Sequence, residues 1–64
     1  MASQRLKILY RRKTIIAHEK AEGWGARAFD GKLPSSQIHH APTSDHAILA
    51  VQEELDQEAA KEAA

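Results

Sequence analysis

Residues 22–32 read EGWGARAFDGK and hold the only Trp, the only Phe and all three glycines of a 64-residue chain. Trp24, Ala26 and Ala28 alternate with Gly25, Arg27 and Phe29. That period of two is the signature of a strand with two different faces. The polar run from Glu19 to Gly23 reads as a turn before it. After it, Asp30-Gly31 is the strongest hairpin signal in the chain, because a type I′ turn needs positive φ at both central positions and Asp-Gly tolerates them best. The window is therefore expected to be one strand of a small sheet, closed by turns at both ends.

Upstream, RLKILY (5–10) alternates Leu6, Ile8 and Tyr10 with Arg5, Lys7 and Leu9. TIIAH (14–18) is short and β-branched, which also suits a strand. Arg11, Arg12 and Lys13 interrupt the two, so residues 5–18 form either a hairpin or one long strand with a bulge. Downstream, LPSSQIHH (33–40) contains Pro34, which cannot donate to a ladder, so this segment is expected at a sheet edge or partly in a loop. Thr43 is then a good helix N-cap, with Asp45 placed to meet the helix dipole. The helix is expected from Ser44 to about Ala60. Its apolar stripe is Ile48, Val51, Leu55 and Ala59, widened by Ala47 and Leu49. The last residues have high helix propensity but little to bury, and 61–64 are expected to be a frayed helical tail.

These elements predict a single small α+β domain over residues 1–60. It is an antiparallel meander of three strands, or four if the first segment divides, with one C-terminal helix packed on one face. The other face is left open.

Composition narrows the function. A chain this short buries little surface and is marginally stable, so self-association is one natural remedy. There is no Cys, which removes disulfides and thiolate metal sites. No apolar run is long enough to span a bilayer, and the basic start MASQRLKILYRRK has no signal-peptide apolar core. A cytoplasmic protein without membrane contact is expected. The glycines fit turns and strand packing rather than a phosphate loop. Ser35, Ser36, the histidines and Asp45 supply the residue types of a hydrolytic triad, but no G-x-S-x-G elbow is present. His39 and His40 are adjacent, so in a strand they point to opposite faces. One of them with Asp45 and His46 would make only a surface nitrogen and oxygen set. No catalysis, cofactor, metal or small-molecule substrate is expected.

Charge is the best functional signal. Residues 1–32 carry eight Lys/Arg against Glu19, Glu22 and Asp30, whereas residues 33–64 carry Lys61 against six acids. The first reading is a non-enzymatic binding or regulatory module that pairs with itself as a homodimer, or with another protein. Trp24, Ile38, Ile48, Val51 and Leu55 would form its interface. The alternative is nucleic-acid binding by the basic sheet. Arg5, Lys7, Arg11, Arg12, Lys13 and Arg27 would meet phosphates, and Tyr10 or Trp24 would stack. Against it stand the acidic second half and a near-neutral isoelectric point of about 6.9, below the usual footprint of such proteins.

The order of features, Leu6 to His18, Trp24 to Phe29, Asp30-Gly31, then a helix announced by Thr43 to Ala47, resembles small bacterial and phage modules. The HicB-type antitoxin fold and the sheet-plus-helix arm-binding domains of phage-type integrases are similar in layout. The Pro-Gly-Cys stretch of the HicB type is absent. The resemblance implies a small regulatory binding module, by analogy of fold.

Overall fold

The computed structural model describes residues 4–63, and the ends of the expected domain and tail (residues 1–3 and 64) lie outside them. Residues 5–18 are a hairpin. Strand β1 (Arg5–Tyr10) pairs antiparallel with β2 (Lys13–Lys20), and β2 pairs antiparallel with β3 (Gly23–Asp30). Two short strands then share the outer edge of β3. Strand β4 (Leu33–Pro34) pairs with Phe29 and Asp30, and β5 (His39–Ala41) pairs with Trp24 to Ala26. Helix α1 (Ser44–Ala63) follows and lies over β2, β3 and β5. The architecture is the expected α+β meander with one C-terminal helix, and its fourth strand position is divided in two.

The division has a local cause. Pro34 supplies no N–H, and residues 35–38 leave the ladder. Ser36 replaces the missing backbone partner: Ala28 N–H donates to its Oγ at 2.9 Å, and that hydroxyl donates to Gln37 O at 3.0 Å. Ser35 N–H donates to Ala28 O at 2.9 Å. The edge strand therefore stays attached to β3 across its interruption.

The core lies between sheet and helix. Ile15, Ala17, Ala26 and Ala28 from the sheet meet Ala47, Val51 and Leu55 from the helix, and all seven are buried. Four of them are alanine, so the helix backbone comes close to β2 and β3 and few large side chains fill the space. Trp24, Tyr10, Ile8, Ala41 and Ile48 close the margins. The helix starts as expected. The Thr43 hydroxyl accepts from His46 N–H at 3.3 Å, and Ala47 N–H donates to Thr43 O at 3.1 Å. His46 Nδ1 also lies 2.8 Å from that hydroxyl. The helix does not stop at Ala60 but is continuous to Ala63.

The turns differ from expectation. Asp30 is the last residue of β3, paired with Leu33, so Gly31 and Lys32 form the two-residue loop. Only Gly31 has positive φ, +67°, the sign pattern of a type II′ turn with Gly at the first central position. The loop with positive φ at both positions is instead Arg11 (50°) and Arg12 (65°), between Tyr10 and Lys13. Two L-residues with β-carbons sit where Asn-Gly would be at ease. Arg12→Gly should therefore raise stability by roughly 0.5–1 kcal/mol. A thermal melt should show it as a few degrees, and an unchanged midpoint would mean that the turn is not left-handed at Arg12.

Candidate functional site

In an antiparallel sheet, residues directly opposite each other share a face, so the register draws both faces of this sheet. The helix side carries Leu6, Ile8 and Tyr10, then Ile15 and Ala17, then Trp24, Ala26 and Ala28. The open side is built of three rungs. Arg5 faces His18, then Gly25, then His40. Lys7 faces Ile16, then Arg27. Leu9 faces Thr14, then Phe29, then Pro34. Lys20 adds a fourth cation beyond the first rung.

The strand positions of this open face hold four Lys/Arg, two His and no carboxylate. Glu19 and Asp30, the two acids within the strands, alternate to the helix side, opposite Trp24 and Lys13. Asp45, Glu53, Glu54, Asp56, Glu58 and Glu62 belong to the helix, which packs on the other side of the sheet. The acidic second half that weighed against a polyanion partner thus lies behind the sheet. A near-neutral isoelectric point averages two surfaces that the fold keeps apart.

Gly25 leaves no bulge. A β-carbon there would lie 2.9 Å from Lys20 Cε and 3.6 Å from His18 Nε2. The gap in the first rung is therefore filled by the Lys20 stem, whose ammonium reaches His40 Nδ1 at 3.4 Å. Lys20, Glu22, Gly23, Trp24, His40 and Pro42 line a shallow groove at this end.

The basic residues picked out in the sequence divide into three groups. Arg5, Lys7 and Arg27 lie on the open face. Arg11 and Lys13 are engaged elsewhere: Arg11 Nε donates to Asp56 Oδ1 at 2.6 Å, and Lys13 Nζ to Asp30 Oδ2 at 3.2 Å. Arg12 is exposed at the hairpin tip. Tyr10 is on the helix side, where its hydroxyl donates to Asp56 Oδ1 at 2.8 Å, and the Arg11 guanidinium sits 5.8 Å from its ring centre. Tyr10 is thus a strut between hairpin and helix, and Trp24 packs at the core margin; neither offers a stacking surface on the open face. Phe29, Ile16, Lys20, His18 and His40 were not picked out, although Phe29 shares the Arg27 alternation in the sequence. Ile16, His18 and Lys20 join the face only through the pairing of β2 with its neighbours, and His40 through the pairing of β5 with β3.

The tie at Asp56 is ionic and local. The Tyr10 hydroxyl and then Arg11 hold the Asp56 carboxyl below its ordinary value. A depressed carboxyl stabilises the fold above its unfolded value, and that contribution disappears as pH falls through the folded value. Docking of the hairpin on the helix should therefore loosen only in acid below the usual Asp range. Asp56→Asn should make acid unfolding below pH 4 shallower, as followed by circular dichroism.

Of the residues expected at a protein interface, Val51 and Leu55 are corrected by their position. They are 0% and 4% exposed and fill the helix–sheet core, so the stripe serves the monomer. Ile48 is half-buried beside them, and Trp24 likewise. Ile38 remains exposed, in the looped-out part of the edge. Among the described residues the most exposed large apolar side chain is Leu9, 80% exposed on the open face of β1.

Several polar residues of the edge and helix start have structural partners, whereas the buried Ser35 Oγ has none among the described residues. Ser36 holds the interrupted edge. His39 Nε2 lies 2.6 Å from Glu54 Oε1 on the helix side, His40 is on the open face, and His46 is at the helix cap. Among the described residues no three His, Cys, Asp or Glu are grouped to hold a metal ion, and no helix is long and apolar enough to cross a membrane.

The fold and this face define an α+β meander with one bare cationic sheet surface. Comparison of the chain with protein-family models, with curated proteins and with solved structures gives no match.

Proposed function

We propose that the protein is a non-enzymatic nucleic-acid-binding module and that the open sheet face is its binding surface. The observation that carries this reading is the segregation of charge: four Lys/Arg and two His on one face, no carboxylate among its strand positions, and the acidic helix behind it. Such a surface attracts phosphates and releases their counterions. Arg5, Lys7 and Lys20 are exposed and surround the face, as backbone contacts require. Arg12 extends the cationic surface at the hairpin tip.

The test is a binding titration with a short mixed-sequence duplex at several salt concentrations. With three phosphate contacts, the slope of log affinity against log salt should be about −3. Arg5→Glu with Lys7→Glu should abolish binding at moderate salt while the circular dichroism spectrum stays unchanged. Reversing Arg11 and Lys13, which the sequence alone ranks equally, should weaken binding less, because both are already paired with carboxylates. Equal effects from the two double variants would place the binding surface elsewhere.

A second reading is pairing with a protein, itself included. One observation favours it: β1 has a free edge of six residues with Leu6 and Leu9 exposed on its two faces, 41% and 80%. Main-chain pairing along that edge would be nearly independent of salt. A molar mass of twice the chain in high salt, lost on Leu9→Lys, would favour this reading.

A further inference from the structure

Resting on that reading of the open face, we propose that Arg27 reads a guanine in the major groove of double-stranded DNA, and that the other cations position the protein on the phosphates. Arg27 differs from the rest of the basic face in two ways. It is half-buried in the middle rung, opposite Ile16, whereas Arg5, Lys7 and Lys20 are exposed. It is also held: its Nε donates to Ser36 O at 3.0 Å. That carbonyl belongs to the looped-out edge, itself fastened to β3 through Ser36 Oγ and Ala28 N–H.

The contact uses one donor of the guanidinium and restrains the side chain at Nε. Among the described residues no hydrogen bond occupies its two terminal nitrogens. A planar pair of donors held by the scaffold is the group that meets O6 and N7 of guanine in a bidentate contact. Flexible, exposed Lys and Arg side chains suit phosphates, which position without specifying.

Duplex DNA follows from the shape and content of the face. From β1 to the β4/β5 edge the strand axes span about 14 Å at the usual spacing, so the part of the face centred on β2 and β3 is what enters the B-form major groove, about 12 Å wide. The major groove of an RNA duplex is too deep and narrow to be read. Single strands are bound on stacked aromatic rings, but Trp24 and Tyr10 face the helix, leaving Phe29, half-buried, as the one Phe, Tyr or Trp ring of the open face.

The experiment is selection of bound duplexes from a random-sequence DNA pool by the full chain at low salt, followed by titration of the enriched duplex and a scrambled one. One guanine should be enriched at a fixed position. Arg27→Lys, with charge unchanged, should bind the enriched duplex about tenfold more weakly and lose the guanine preference. Lys7→Ala should weaken both duplexes alike and reduce the salt slope by about 1. Duplex binding without any enriched base would overturn the role of Arg27 and leave the binding face standing. Enrichment of guanine by Arg27→Lys as strongly as by the unaltered chain would overturn it too. Absence of duplex binding at every salt concentration would overturn both the inference and the binding function. If Arg27→Lys is poorly folded, the selection with the unaltered chain still overturns the inference when no base is enriched.

Discussion

Gly23→Ala should destabilise the protein by about 2–3 kcal/mol, a large share of what a domain of this size has. Gly23 opens β3 with φ at +137°, a conformation that L-residues rarely adopt. The second obstacle is steric. A β-carbon would lie 2.6 Å from Ala41 O and 3.3 Å from Pro42 Cα, both backbone atoms that cannot swing aside. Ala41 is the residue of β5 that pairs with Trp24, so relief of the clash would pull β5 off the sheet and disturb the entry to the helix. Gly31→Ala is the matched control. Its φ is +67°, but nothing lies within 4 Å of the added carbon, so only the left-handed backbone cost of about 1 kcal/mol applies. Urea unfolding followed by the fluorescence of Trp24, the neighbour of Gly23, reads the global stability of both variants. Equal midpoints would mean that β5 does not press on Gly23 in solution.

Ile15→Ala should cost about 2–5 kcal/mol. Ile15 and Val51 are the largest fully buried side chains, and most of the remaining core is alanine. Removing three carbons here leaves a cavity that alanine neighbours cannot fill. Ile16, the next residue, points to the open face between Lys7 and Arg27. Ile16→Ala should cost about 1 kcal/mol or less, because water already reaches that side chain. Two adjacent isoleucines should thus differ severalfold in a urea titration. Similar costs at both positions would mean that the open face is covered in solution, as in a sheet-to-sheet dimer, and a concentration-dependent midpoint would then accompany the result.

The contrast between these two isoleucines shows how far local pattern reaches. TIIAH gives no hint which Ile faces the helix; both are apolar, and the pairing with Ile8 on one side and Ala28 on the other decides it. The alternation of Trp24, Ala26 and Ala28 against Gly25, Arg27 and Phe29 is legible because small apolar and basic residues segregate along one strand. Pro34 marks the edge because a missing N–H is a property of the residue itself. Thr43 caps the helix for the same kind of reason: its hydroxyl reaches N–H groups only three residues away.

Turn chemistry was less legible. Asp-Gly is a strong signal for a hairpin, and a hairpin is there, but the register of β3 with β4 keeps Asp30 in the strand and shifts the loop by one residue. Arg11-Arg12 has no turn propensity. It takes the left-handed pair of conformations because the alignment of Tyr10 with Lys13 leaves two residues to close the hairpin, and the tie of Arg11 to Asp56 holds it there.

By itself, then, the amino-acid sequence determined the kinds of elements and their order, the edge position of the Pro34 segment, the helix start at Thr43 and the division of β3 into an apolar and a basic side. These rest on forces acting within a few residues: steric preference, hydrogen bonding of side chain to backbone, and the period of burial. Tertiary structure alone decided which cations are paired with carboxylates. Asp56 lies 45 residues from Arg11 and holds it against the helix, while strand pairing gathers Arg5, Lys7, Lys20 and Arg27 on the open face and the helix packs on the other. Charge along a chain says nothing of this, because electrostatic partnership depends on distance in space, which the register of the sheet and the docking of the helix set.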